Sequence, residues 1–101
     1  MNLEVKKIFT ETGVVFKIKG RVTTDNAYLL EKDLINLATQ KQFVIIDCTD
    51  LEYMSSAGLR CLLQYQKLAG NTKLKLTHVD GVFKELLEVT GFIEIFTVVM
   101  E

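Results

Sequence analysis

The sequence predicts one α/β domain with a mixed, mainly parallel β-sheet and an N-terminal hairpin. Strand-like and helix-like segments follow one another in the order ββαβαβαβ, and together they account for residues 1–101. A chain of 101 residues has the length of one ordinary domain. After the hairpin, every two successive strands are separated by a helix, and crossovers of this kind place strands parallel.

The first two strands are expected to pair as a hairpin at the edge of the sheet. Residues 3–9 are predicted to form a strand, and Glu11-Thr12-Gly13 forms the turn. Residues 14–19 form the second strand, because the apolar positions 14, 16 and 18 alternate with positions 15, 17 and 19, two of which are lysines. Gly20 ends this strand.

Three helices are predicted from apolar residues at helical spacing. The first can be capped by Thr23 or Thr24 and extends to about Thr39. The second covers residues 56–69 and is followed by a Gly-Asn stop signal, and the third covers residues 82–90 and ends at a glycine. The residues of the third helix expected to face the core are Val82, Phe83, Leu86 and Leu87, with Val89 as a further candidate.

The other strands are predicted at residues 43–46, 73–77 and 95–99. The first of these, Phe43-Val44-Ile45-Ile46, is apolar on both faces. That pattern is typical of a central strand covered by helices on both sides. Asp47 is expected to end the strand.

The composition excludes several classes of function. Twelve Lys and Arg residues against thirteen Asp and Glu give a net charge of −1, so bulk charge favours neither nucleic acid nor an anionic membrane as a partner. No apolar run approaches the ~20 residues of a membrane-spanning helix, and the first residues lack the apolar centre of a signal peptide. Cys48 and Cys61 are expected to be buried free thiols, because a metal site or a disulfide framework needs more ligands or a tighter spacing. We therefore expect a cytoplasmic protein without membrane insertion.

The segment between the central strand and the second helix carries the main candidate site. It holds both serines of the chain, Ser55 and Ser56, at the sheet edge where ligands and partners bind in open α/β folds. Either serine can cap the helix, and the small Ala57 and Gly58 leave its first turn sterically open. The free amides and the dipole of that turn would accept a phosphate on a neighbouring hydroxyl. The alternative is that one serine caps the helix, worth ~1 kcal/mol, and does nothing more.

Helical spacing divides the second helix into an apolar and a polar side. Leu59, Leu62 and Leu63 share one side, and Leu68 is expected in the core. Arg60 lies on a narrow polar strip, one turn after the second serine. It is a candidate for binding a carboxylate of a partner, and the alternative is a solvated helix charge.

The run Met54-Ser55-Ser56-Ala57-Gly58-Leu59, with Asp47 before it and Arg60-Cys61-Leu62-Leu63 after it, resembles the signature of STAS domains. Within that group it is most similar to the bacterial anti-sigma factor antagonists. The resemblance extends over nearly the whole chain: Gly20-Arg21-Val22 is similar to the family's strand-exit motif, and residues 86–96 resemble its last helix and strand. It implies a single STAS-like domain over residues 1–101.

The resemblance also implies a regulator that works by partner switching and is not an enzyme. Ser56 matches the position that a partner kinase phosphorylates in the family, and Ser55 is the alternative site. That serine/threonine kinase is also the anti-sigma factor: the unphosphorylated antagonist binds it and frees the sigma factor, and phosphorylation releases the antagonist. A serine phosphatase resets the switch, and no cofactor or metal is implied. The residues implied to bind the partner are Thr23, Thr24, Asp25, Met54, Ser55, Ser56, Ala57, Gly58, Leu59 and Arg60.

Two positions depart from the usual pattern of these antagonists. Ser55 stands where an aspartate is common before the phosphorylated residue. Thr23 stands where many members have an aspartate, and Asp25 follows two places later. The first departure removes one negative charge and adds a competing hydroxyl. For the second, the alternatives are that the aspartate is dispensable or that Asp25 partly substitutes for it.

Two other functions compete with this interpretation. A stand-alone STAS subunit of a lipid-trafficking ABC transporter would dock on an ATPase and need no phosphoserine. A hydrolase using Ser56 lacks a Gly-x-Ser-x-Gly motif, and the single His78 is expected to be structural. Asp47, Asp50 and Glu52 do not have the spacing of an EF-hand, and Asp47 is expected to bind loop amides.

Overall fold

The computed structural model describes residues 3–101, which form five β-strands and three α-helices in the predicted order. In chain order the elements are β1 (Leu3–Phe9), β2 (Gly13–Val22), α1 (Tyr28–Thr39), β3 (Phe43–Met54), α2 (Ser56–Ala69), β4 (Lys75–Thr77), α3 (Gly81–Thr90) and β5 (Thr97–Val98). A short 3-10 helix over Phe92–Glu94 lies between α3 and β5. Within residues 3–101, no helix combines the length and the apolar character needed to cross a bilayer.

The five strands form one sheet in the order β1-β2-β3-β4-β5. β1 pairs with β2 antiparallel, from Leu3 opposite Gly20 to Phe9 opposite Val14. The pairs β2–β3, β3–β4 and β4–β5 are parallel. This confirms the predicted mixed, mainly parallel sheet. The reason is the connections: a short turn joins β1 to β2, whereas a helix lies in the connection between each later pair.

The helices pack against one face of the sheet, so the prediction that helices cover the central strand on both sides is wrong. In β3, Val44 and Ile46 are buried, whereas Phe43 is 52% exposed and Ile45 is half-buried. The buried side chains of all three helices form one cluster with the buried strand residues. The physical reason is the strand order: each right-handed crossover moves one strand further in the same direction, which leaves successive helices on the same side.

The core lies between that sheet face and the three helices. Tyr65 is its largest fully buried side chain, and its hydroxyl donates a hydrogen bond of 2.5 Å to the carbonyl of Gln42. Cys48 and Cys61 are buried free thiols, as predicted. Burial, together with the neighbouring Asp47 carboxylate, raises the pKa of Cys48 to about 12. This thiol therefore stays protonated at neutral pH and acts as a packing residue.

β3 is longer than predicted. It continues past Asp47 to Met54, because β2 continues beside it to Val22 and two register shifts keep the strands paired. The last residues of β3 therefore lie beside the end of β2, directly before α2. Conversely, β4 and β5 are shorter than the segments predicted for them.

The start of α1 also differs from the prediction. The helix begins at Tyr28, after a turn over residues 24–27, and Ala27 at the N-cap position makes no side-chain hydrogen bond. Neither Thr23 nor Thr24 caps it. The loop between β2 and α1 is therefore longer than predicted, which leaves residues 23–25 outside the helix.

Three side chains predicted to face the core are instead exposed. Val82 and Val89 of α3 are 81% and 76% exposed, while Leu87 is fully buried. At 100° per residue, the two valines lie about 140–160° from Leu87 around the helix. Leu87 is the one fully buried side chain of α3, so only a narrow side of this helix reaches the core. Leu68 of α2 is 43% exposed, because it lies about 90° from the centre of the buried side of that helix.

Candidate functional site

The two segments predicted to bind a partner meet where β2 and β3 end. Val22, the last residue of β2, is paired with Met54, the last residue of β3. The backbone N–H of Ser55 donates to the carbonyl of Val22 at 2.8 Å, and α2 begins at the next residue. Residues 23–25 and 54–60 therefore lie at the same carboxyl edge of the sheet.

The two serines have different environments. Ser55 is 5% exposed, and its Oγ accepts a hydrogen bond of 3.2 Å from the backbone N–H of Gly58. It is the N-cap of α2, a position that favours serine because the first amides of a helix have no intrahelical acceptor. Ser56 is the first residue of α2, and it is exposed. Its hydroxyl is thus open to solvent, while that of Ser55 caps the helix.

Gly58 allows the first turn of α2 to sit close to the strand ends. A Cβ at this position would lie 2.3 Å from the Sδ of Met54 and 2.8 Å from the Cγ1 of Val22. Both distances are well inside van der Waals contact. A larger residue would therefore force a shift of the Met54 and Val22 side chains or of the first turn of α2.

Asn26 organises the loop beside the serines, and sequence reasoning missed it. Its side chain is 6% exposed; Oδ1 accepts from the N–H of Thr23 at 2.7 Å, and Nδ2 donates to the carbonyl of Arg21 at 2.9 Å. These bonds hold Thr23 half-buried and leave Thr24 and Asp25 exposed. Asparagine is favoured in turns because its short side chain bonds nearby backbone groups, and an asparagine four residues after the end of β2 could have identified this residue.

A groove of about 770 Å³ opens beside Ser56, between α2, α3 and the end of β3. Its volume is in the range of sites that bind small molecules or side chains of a partner. Most of the lining is apolar, and Ser56 and Arg60 belong to the α2 wall. The apolar lining residues are Leu51, Tyr53, Met54, Leu59, Leu63, Val82, Phe83, Leu86 and Phe92. Val82, which was wrongly predicted to face the core, is thus part of the groove.

The partner-binding residues predicted from sequence divide into exposed and buried groups. Thr24, Asp25, Ser56 and Arg60 are exposed, and Thr23 and Ala57 are half-buried. The buried residues are Met54, Ser55, Gly58 and Leu59. Two of them, Met54 and Leu59, also line the groove.

Asp47 lies away from the serines, near the middle of β3. Its Oδ1 accepts hydrogen bonds from the backbone N–H of Thr49 at 3.0 Å and from its hydroxyl at 2.6 Å, and it lies 3.2 Å from Nδ1 of His78. Burial alone would raise the pKa of Asp47, but the two hydrogen bonds and the charges of His78 and Lys17 outweigh it and lower that pKa below its ordinary value. Asp47 therefore accepts from a backbone amide as expected, but this amide lies within β3 and not in a loop, because the strand continues past Asp47. Among residues 3–101, no three His, Cys, Asp or Glu side chains are arranged to hold a metal ion.

Comparison with known proteins identifies relatives along nearly the whole chain. The profile of the STAS domain family matches residues 4–101. A Bordetella bronchiseptica protein, BtrV, described as a candidate anti-sigma factor antagonist, is 34% identical over 103 residues, which cover 97% of this chain and 85% of the relative.

Solved structures share the fold. An anti-sigma factor antagonist from Mycobacterium paratuberculosis superposes with a TM-score of 0.82 at 20% identity, covering 98% of this chain and 86% of the other. The Bacillus cell fate determinant SpoIIAA, solved in its phosphorylated form, superposes with a TM-score of 0.73 at 13% identity, covering 95% of this chain and 89% of the other. These relatives are named as regulators and not as enzymes. The profile match over residues 4–101 and the 34% identical relative show that the chain belongs to the STAS domain family.

Proposed function

We propose that this protein is an anti-sigma factor antagonist that binds its anti-sigma factor through the surface around Ser56. In this proposal, the anti-sigma factor is a cytoplasmic serine/threonine kinase that phosphorylates Ser56 and thereby releases the protein, and a serine phosphatase restores binding. The observation that carries the proposal is the exposed hydroxyl of Ser56 beside the apolar groove, with Ser55 engaged as the helix cap. The similarity to BtrV supports the class of partner.

The groove provides a binding surface of the kind a protein partner uses. Protein interfaces combine an apolar, well-packed centre with a polar rim. Here the apolar groove has Ser56, Arg60 and Glu52 among its lining residues, and Thr24 and Asp25 are exposed on the neighbouring loop. A partner that inserts apolar side chains between α2 and α3 would cover the hydroxyl of Ser56.

Phosphorylation of Ser56 would then oppose binding directly. It adds about −1.5 to −2 charges and three acceptor oxygens to a small neutral hydroxyl. A partner that covers this position must desolvate the dianion or exclude it. A penalty of only ~3 kcal/mol weakens binding more than a hundredfold. The switch therefore needs no change of fold.

The two serines provide a matched pair for the test. We expect the kinase, captured with wild-type protein as bait and then purified, to transfer one phosphate from ATP to the wild type and to Ser55→Ala, but none to Ser56→Ala. Intact-mass spectrometry measures the transfer, and since the chain has only two serines the assignment is direct. Stoichiometric serine phosphorylation of Ser56→Ala would move the site to Ser55.

Binding is tested with the same purified kinase. Ser56→Asp should bind it more weakly than the wild type, whereas Ser56→Ala should bind it about equally well. Calorimetric titration measures both affinities. Equal affinity of Ser56→Asp and wild type would contradict the switch, as would capture of a transport ATPase that binds both variants equally.

A further inference from the structure

We propose that Arg60 binds the phosphate of phosphorylated Ser56 within the same helix, and that phosphorylation thereby withdraws the Arg60 side chain from the partner surface. The inference rests on the proposed function in one respect, since it takes Ser56 as the phosphorylated residue. It assigns to Arg60 a role in the phosphorylated state, in addition to any contact it makes with a partner beforehand.

The geometry of α2 brings the two side chains together. Ser56 and Arg60 are four residues apart, so they lie about 40° apart around the helix and roughly 6 Å apart along its axis. Side chains in a helix lean toward its N-terminus, which directs Arg60 back toward the turn that carries Ser56. Both residues line the same wall of the groove.

The charge of Arg60 is available for a phosphate. Within residues 3–101, the ion pairs join Lys7 to Asp33 and His78 to Asp47, and no carboxylate lies within ion-pair distance of the Arg60 guanidinium. A guanidinium presents two parallel N–H donors that match two oxygens of a phosphate. The dianion of phosphoserine is a stronger acceptor than a surface carboxylate. It would therefore compete well for Arg60 against a carboxylate of the partner.

Phosphorylation then changes the surface in two ways. It places a dianion at residue 56, and it engages the exposed cation one turn further along the groove wall. A partner that offered a carboxylate to Arg60 would lose that contact and meet a negative charge at the same time. The affinity of the partner therefore falls further than it would from the added bulk of the phosphate alone.

The test uses protein with phosphoserine placed at position 56 during translation, so no kinase is required. Four chains are compared: the wild-type background, Arg60→Gln, Arg60→Lys, and Lys67→Gln as a control that removes an exposed charge from the same helix two turns further on. Phosphorus-31 NMR follows the second ionisation of the phosphoserine between pH 4 and pH 8, a range that brackets its ordinary pKa of ~6.

We expect the phosphoserine pKa of Arg60→Gln to lie about half a unit above that of the wild-type background, because an adjacent cation favours the dianion. Arg60→Lys should fall between the two, and Lys67→Gln should match the wild-type background because its charge lies beyond the ~8–10 Å screening distance. Equal pKa values in the wild-type background and Arg60→Gln would overturn the proposal, and so would an equal shift in Lys67→Gln. This failure is distinct from failure of the proposed function, which appears as a kinase that does not modify Ser56.

Discussion

Replacing Ser55 or Ser56 by alanine should have clearly different effects on stability, although the two residues are adjacent. Ser55→Ala removes the oxygen that accepts from the N–H of Gly58. Loss of a serine N-cap typically costs ~1 kcal/mol and at most ~2. Ser55 is 5% exposed, so water cannot easily reach the freed amide, and we expect ~1.5 kcal/mol.

Ser56→Ala should be close to neutral. Its side chain is exposed, and none of the hydrogen bonds of the described residues uses its hydroxyl. Alanine has the higher helix propensity, which offsets any small loss by up to ~0.5 kcal/mol. We therefore expect the free energy of unfolding of Ser56→Ala to lie within about 0.5 kcal/mol of the wild type.

Urea denaturation followed by circular dichroism measures both variants. With a slope of ~1–3 kcal/mol per molar urea, Ser55→Ala should lower the midpoint by about 0.5–1.5 M. In thermal melts the same loss corresponds to roughly 6–12 °C. A neutral Ser55→Ala, or a Ser56→Ala that destabilises as strongly, would show that the cap is assigned to the wrong serine.

Three further substitutions test the close approach of α2 to the sheet, a hydrogen bond of the core and the charge of Asp47. Gly58→Ala should lower the free energy of unfolding by ~1–2 kcal/mol, because its methyl group would lie 2.8 Å from Cγ1 of Val22. The helix propensity that alanine gains offsets only part of this overpacking. A urea midpoint at or above that of the wild type would refute the close approach of α2 to β2. Tyr65→Phe should cost ~1–2 kcal/mol in the same assay, since it leaves the carbonyl of Gln42 without its buried donor, and no loss would mean that water replaces the hydroxyl. Asp47 has a pKa below its ordinary value in the folded state, so its stabilising contribution is present above the unfolded pKa of ~4 and is lost as the pH falls through the folded pKa. Asp47→Asn should therefore destabilise at pH 7 and progressively less below pH 4, as measured by urea denaturation at each pH, and a difference independent of pH would contradict this reasoning.

Much of the fold follows from local patterns in the sequence. The alternation in β2 and the glycine after each of α2 and α3 predict elements that the structure contains, because strand alternation and helix termination depend on neighbouring residues. The position of the candidate site at the start of α2 was also predictable, because a serine pair before a small-residue turn is a helix-start signal. The C-terminal end of β3 could not be predicted from the sequence, because it depends on the pairing of β3 with β2.

The sequence by itself determines the order of the elements, the mixed, mainly parallel sheet and the presence of an N-cap serine at α2. It does not determine which serine is the cap, which hydroxyl is exposed, or which apolar residues of α3 are buried. Those properties depend on how closely α2 approaches Val22 and Met54 and on which side of α3 packs into the core. Both are relations between segments distant in the chain, so they are decided only when the helices pack on one face of the sheet. The same packing forms the groove and places Ser56 and Arg60 together on its wall.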